Sequence, residues 1–272
     1  MIQRTNGRSL HQLRPITISK NPYGYADASI LYQQGSTKIL CSVTLQHGVP
    51  HFLKGSKTGW LSAEYALLPT ATQTRTQREN NTQKINGRSV EISRLIGRSL
   101  RSMVDLTKLG EKTVVVDCDV LQADGGTRTA AITGAALALK EAEKRWISAG
   151  HIAGHVIIHD IAAISLGISD ENTILVDIDY QEDVAINADY NFVMSREGTL
   201  VEVQGTTERG KVSWEAFMNL CNQAQEAIQQ LFKVLDSLDV QHGAHHDSTQ
   251  TKHDQAGEGK YPFFSLKNRL TQ

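Results

Sequence analysis

Apolar positions along the chain switch between two periods. Residues 28–43, ASILYQQGSTKILCSV, form two apolar runs around Gly35 and Ser36, which predicts a hairpin of half-buried strands. A shorter strand-like run, Ile16 to Ile18, precedes them. From Ser89 the period lengthens, and Ile92, Leu95, Ile96, Leu100, Met103 and Val104 share one face of a helix. Residues 113–121, TVVVDCDVL, return to a strand with Asp117 and Asp119 on one side of its pleat. The spacing then predicts a helix over 129–146, whose small residues in the first half permit close packing on a sheet. Further strands are expected over 152–168, 174–180, 189–194 and 199–205. A long helix over 213–238 lines up Trp214, Phe217, Cys221, Ala224, Ile228, Leu231, Leu235 and Leu238 as a core-facing stripe.

Stretches without a period complete the outline. Residues 48–71 read mostly as loop with one short strand, and 72–88 hold so few apolar side chains that they predict an exposed, mobile loop. Residues 1–14, with Arg4, Arg8 and Arg14, read as a solvated cationic arm, with contact to RNA or another subunit as the alternative. Beyond Val240 the chain becomes polar and holds four of the ten histidines, which predicts a disordered tail over 241–272 with 261–266 as a short docking motif.

Composition changes this picture in three places. The formal net charge is -1, so any affinity for nucleic acid must come from a local patch. Such a patch exists: between Arg75 and Arg101 there are seven Lys or Arg against two acids, with Arg94, Arg98 and Arg101 repeating along one helix face. The three cysteines are far apart and form no CxxC pair, which predicts reduced core thiols in a cytoplasmic protein and no structural metal site. No segment has the apolar length needed to span a bilayer, so no membrane role is expected.

The sharpest chemistry lies at 117–134, DCDVLQADGGTRTAAITG. A strand ends in Gly125 and Gly126, Thr127, Arg128 and Thr129 follow, and a run of small residues opens a helix. Glycines allow a tight turn, the first helical N–H groups face outward at the positive end of the dipole, and the threonines and arginine add donors, so the expected ligand is phosphate. The lysine and spacing of a GxxxxGK[ST] loop are missing, which excludes a nucleoside triphosphate site of that kind. Further on, Asp183 and Asp189 gather carboxylates where the chain doubles back. They are candidates for Mg²⁺ or Mn²⁺ binding or for a general acid, or else for a solvated turn.

The motifs GRSLHQLRPI, GSTKILCSV, GVPHFLKG, GWLSAEYALLP, NGRSVEISRLIGRSLR, DCDVLQADGGTRTAAITGA, DIDYQEDVAINADYNFVM and EVQGTTE occur in order. In them the chain resembles the ribonuclease PH family from Arg4 to about Val240, the tail lying outside. The resemblance implies an α+β fold of β-α units like the second domain of ribosomal protein S5, duplicated within residues 1–240 at about residue 150. It implies a homohexamer, a trimer of dimers. The activity it implies is phosphate-dependent 3′ exoribonuclease trimming of tRNA precursors and possible rRNA targets, with inorganic phosphate as co-substrate and reverse nucleotidyl transfer. Arg88, Gly126, Thr127, Arg128 and Thr129 then correspond to the phosphate site, Asp183 and Asp189 to metal or general-acid carboxylates, and Arg75 and Arg78 to the RNA-handling loop, with Arg94 and Arg98 as further RNA contacts. The alternative is an inactive RNA-binding subunit of an exosome-like ring. This chain departs from the family pattern at Thr70, where an arginine is common, and in ERGKVSW after EVQGTT.

Overall fold

The first sheet grows outward from the predicted hairpin. In the computed structural model, which describes residues 4, 7–78, 87–170 and 172–246, β2 (Ala28–Gln34) and β3 (Thr37–His47) pair antiparallel across Gly35 and Ser36. The two-residue turn needs a positive φ, and Gly35 supplies it at 60°. β1 (Ile16–Lys20) joins β2, β5 (Lys112–Gln122) joins β3, and β4 (Trp60–Leu67) pairs parallel with β5. The result is a five-stranded sheet in the order β1-β2-β3-β5-β4. Parallel neighbours require a crossover, and α1 (Gly87–Ser102), followed by the short α2 (Leu106–Leu109), provides it while burying Ile92, Leu95, Ile96 and Leu100. β4 is the one short strand expected within the mostly looped 48–71, although its burial does not alternate.

Helix α3 (Thr127–Ser148) begins two residues before its expected start and lies against β2, β3 and β6 (Ile161–Ile168). The approach to the first sheet is close. A Cβ on Gly134 would meet Cys41 Sγ at 2.9 Å and Tyr32 Cβ at 3.0 Å, which is why small residues fill this half of the helix. The second sheet has the order β7-β6-β8-β9, with β7 (Ile174–Val176), β8 (Ala188–Ser195) and β9 (Leu200–Thr207). All of β6 is buried, because α3 and the long α5 (Trp214–His246) both pack on it. Two boundaries need correction. The expected strand over 152–168 is confined to β6, and the expected strand over 174–180 ends at Val176, after which Asp179 caps a short helix, α4 (Tyr180–Ala185). That helix was a turn in the sequence pattern. It is held by a capping box in which Asp179 accepts from the Glu182 N–H and Glu182 accepts from the Asp179 N–H. α5 continues past the expected end at Leu238; the docking motif and residues 247–272 of the tail lie outside the described residues.

The largest correction concerns the N-terminal arginines. They are not solvated: Arg4, Arg8 and Arg14 are all buried. Arg4 grips Glu182 with Nε and Nη2, both at 2.6 Å, and Arg8 Nη2 reaches the same carboxylate at 3.2 Å. Arg14 donates from Nε at 3.0 Å and Nη2 at 2.6 Å to Asp177 Oδ1. Burial works against the Arg14 charge, but attraction and hydrogen bonding to Asp177 outweigh it and leave its pKa raised. Leu10 adds an apolar contact with Leu175, Ile178 and Ile186, so the arm seals one side of the second sheet. A count of charges saw only cations here, because the acids that pair with them lie some 170 residues away in the chain.

Candidate active site

The glycine turn between β5 and α3 stands directly against the segment that leads into α4. Gly125 has φ 74°, and a Cβ there would lie 2.6 Å from the Asp179 carbonyl carbon. Only glycine fits this contact. Gly126, at φ 64°, is the N-cap of α3 and makes no side-chain cap, so the first amides of the helix stay available to an anion. Above them opens a cleft of about 560 Å³ whose walls include Arg88, Gly126, Thr127, Arg128, Asp183 and Asp189. Two domains thus supply one cleft: cationic and hydroxyl groups from the first, carboxylates from the second.

Within it, Arg128 Nη2 sits 3.0 Å from Glu91 Oε2, while its buried Nε has no partner. An unspent guanidinium donor beside open amides is an arrangement that completes itself with an oxyanion. Thr127 Oγ1 accepts from the Tyr65 hydroxyl at 2.9 Å, which leaves the Thr127 proton free to donate elsewhere. Across the cleft, burial, Asp189 and Glu208 push the Asp183 carboxyl up, against the opposing pull of Arg88 and Arg128. Asp189 is raised as well, chiefly by burial, although Arg128 lowers it. Two desolvated carboxyls that share repulsion favour either a proton or a cation between them. Among the described residues there is no group of three His, Cys, Asp or Glu able to hold a metal. A hard cation held by two carboxylates therefore needs further oxygens from phosphate and water, a donor set that suits Mg²⁺.

Not every expected site residue reaches the cleft. Thr129 turns inward, its Oγ1 bonded to the Gly126 carbonyl at 3.0 Å, and it supports the turn rather than lining it. Arg75 is exposed, and Arg78 faces a second groove with Glu64, Asp117 and Asp119. Residues 79–86 of the arginine loop lie outside the described residues. Arg94 is exposed, and Arg98 pairs with Glu202 at 2.6 Å, so neither contributes to the cleft wall. Sequence reasoning missed Tyr65 and Ser165. Tyr65 sits in an aperiodic stretch and Ser165 in a wholly buried strand, and neither carried a polar signal.

Comparison with known proteins identifies the family. A family model described as 3′ exoribonuclease family, domain 1, matches residues 12–145, and its domain 2 matches residues 159–227. The chain belongs to that family. It is similar to the ribonuclease PH of Bacillus subtilis (strain 168), at 47% identity over 84% of this chain and 93% of the relative. It is similar also to that of Dehalococcoides mccartyi, at 46% identity over 87% of this chain and 99% of the relative. The two-domain RNase PH fold is shared with more distant structures. One is an Archaeoglobus fulgidus exosome solved with RNA bound to its active site, with a TM-score of 0.74 and 21% identity over 86% of this chain and 92% of that one. Another is rice (Oryza sativa) Rrp46, with a TM-score of 0.68 and 20% identity over 85% of this chain and 97% of that one.

Proposed function

We infer that the chain is a phosphate-dependent 3′ exoribonuclease that trims the 3′ ends of tRNA precursors and, in reverse, transfers nucleotides to RNA ends. The observation that carries this reading is the meeting of Arg88, Thr127 and Arg128 with Asp183 and Asp189 around a single cleft. An oxygen of inorganic phosphate attacks the phosphorus of the last phosphodiester. The bond from that phosphorus to the 3′ oxygen of the preceding nucleotide breaks, which releases a nucleoside diphosphate and an RNA one residue shorter. No protein nucleophile is required. Arg88, Arg128 and the first amides of α3 hold the attacking phosphate and offset charge that builds on the reacting phosphorus. A raised carboxyl at Asp183 or Asp189 is suited to pass a proton to the departing 3′ oxygen. Mg²⁺ or Mn²⁺ held by Asp183 and Asp189 would supply charge neutralisation at the same place.

Several finer points belong to this proposal. Arg75, Arg78, Arg94 and Arg98 guide the RNA strand toward the cleft from outside, which fits their exposed or rim positions. The working assembly is a homohexamer. The cytoplasm is the expected compartment, consistent with three free cysteines and with no helix among the described residues long and apolar enough to cross a membrane. An inactive RNA-binding role has no observation in its favour, since Arg88, Arg128, Asp183 and Asp189 are all present.

The test is incubation with a 3′-extended tRNA, with and without phosphate. Nucleoside diphosphates should form only when phosphate is present; monophosphates formed without it would assign a hydrolase instead. Arg88→Ala and Arg128→Ala should each lose ~10²-fold to 10³-fold in rate, the usual effect of removing one donor to a transition-state oxyanion.

A further inference from the structure

Arg14 touches the glycine turn from behind. Its Nη1 donates to the Asp124 carbonyl at 2.6 Å and lies 3.5 Å from the Gly125 carbonyl, and its Nη2 would be 2.9 Å from a Cβ on Gly126. Asp177 fixes the guanidinium in this place, accepting from Nε and Nη2 on Oδ1 and from the Arg14 backbone N–H at 2.6 Å on Oδ2. Asp177 is itself in the left-handed region, at φ 55°, a conformation that aspartate tolerates better than most residues. A second pin comes from β3. Thr37 Oγ1 donates to the Gly125 carbonyl at 2.7 Å and accepts from the Asp124 N–H at 3.0 Å.

The consequence follows from peptide geometry. No peptide bond in the described residues is cis, and across a trans peptide the N–H points opposite to the carbonyl. Pinning the carbonyls of Asp124 and Gly125 toward Arg14 and Thr37 therefore turns the N–H groups of Gly125 and Gly126 the other way, where both residues line the cleft. Among the described residues no acceptor takes either N–H. We propose that Arg14, anchored by Asp177, is a positioning residue for the attacking phosphate, and that it acts together with Thr37 by aiming the amides of the glycine turn into the cleft. The inference rests on the phosphate reading of that cleft. It assigns the geometry of the turn to a side chain that never reaches the ligand.

Arg14→Lys, Thr37→Val and, as a control within the phosphate site, Arg128→Ala should be compared in steady-state phosphorolysis of one RNA, with thermal midpoints measured in parallel. Arg14→Lys keeps a buried cation for Asp177 but loses the fork. Thr37→Val removes the other pin and leaves the buried ion network intact, so it decides alone where Arg14→Lys does not fold. The expected result is a roughly tenfold rise in KM for phosphate in Arg14→Lys and in Thr37→Val, the scale of one lost hydrogen bond to a charged ligand, with KM for RNA and kcat at saturating phosphate unchanged in those two, while Arg128→Ala raises the phosphate KM and also lowers the rate. A lowered midpoint with wild-type phosphate KM in the folded variants would mean a purely structural role and overturn the proposal. If Arg128→Ala also leaves the phosphate KM unchanged, it is the phosphate site itself that is misassigned; if Arg128→Ala raises it and the other variants do not, only the positioning role fails.

Discussion

Asp183 and Asp189 have carboxyls raised above the ordinary carboxylate range by burial, with Glu208 adding repulsion at both. In the folded protein each binds its proton more tightly than in the unfolded chain, so stability falls as pH rises through the window between the unfolded and the raised folded value. At neutral pH both charges therefore oppose folding. Asp183→Asn should raise the thermal midpoint at pH 7 while lowering phosphorolysis, and its advantage should vanish below the unfolded carboxyl pKa; calorimetry across pH with a midpoint below wild type at pH 7 would refute this. The same pair predicts that chelation stops turnover and that added Mg²⁺ restores it, whereas full activity in chelator would remove the metal from the site. At this scale the sequence was legible where a residue type carries its chemistry locally, as in Gly125, Gly126, Thr127 and Arg128. Tyr65, whose hydroxyl orients Thr127 from 62 positions away, gave no such signal.

Helix α3 and the turn before it were readable because small residues and glycines have few reasons to cluster except close approach. Gly125→Ala tests this. The added Cβ would strike the Asp179 backbone at 2.6 Å and must also accept φ 74°, so the variant should lose ~1–3 kcal/mol of stability, the scale of one enforced backbone strain, together with most of its phosphate-dependent activity. A variant with unchanged denaturation midpoint would show that the turn can move away from α4. Elements too short or too flat for a period were read poorly. β4 buries residues on no regular alternation and was expected only as one short strand somewhere in 48–71, and α4, six residues and less than two turns, went unread. The D-x-x-E signature of Asp179 and Glu182 was the one local clue to α4, hidden among acids that also suit a turn.

Across the whole molecule, the arm that begins the chain fastens the helix that carries Asp183. Arg4 and Glu182 have side chains only 0% and 7% exposed, so Glu182→Ala would leave the buried Arg4 without its carboxylate and Arg8 with only the more distant Asp177 and Asp179. The expected loss is about 3–5 kcal/mol, the cost of breaking a buried ion pair, read as a lower denaturant midpoint that added salt does not narrow. A loss below about 1 kcal/mol would place the arm at the surface, where ion pairs contribute that little. A homohexamer predicts six chains by light scattering at micromolar concentration; a monomer with full activity would dismiss the ring as a requirement. By itself the sequence determined the hairpin, the helix after Ser89, the glycine turn and the clustering of Asp183 with Asp189, because each rests on neighbours within a few residues along the chain. Only the tertiary structure decided that Arg4, Arg8 and Arg14 are buried, that Glu182 and Asp177 are their partners, and that the two halves of the cleft face each other. Those contacts join residues from 55 positions apart, as for Arg128 and Asp183, to 178, as for Arg4 and Glu182, and charge or period within a window holds no record of which distant side chain will neutralise it.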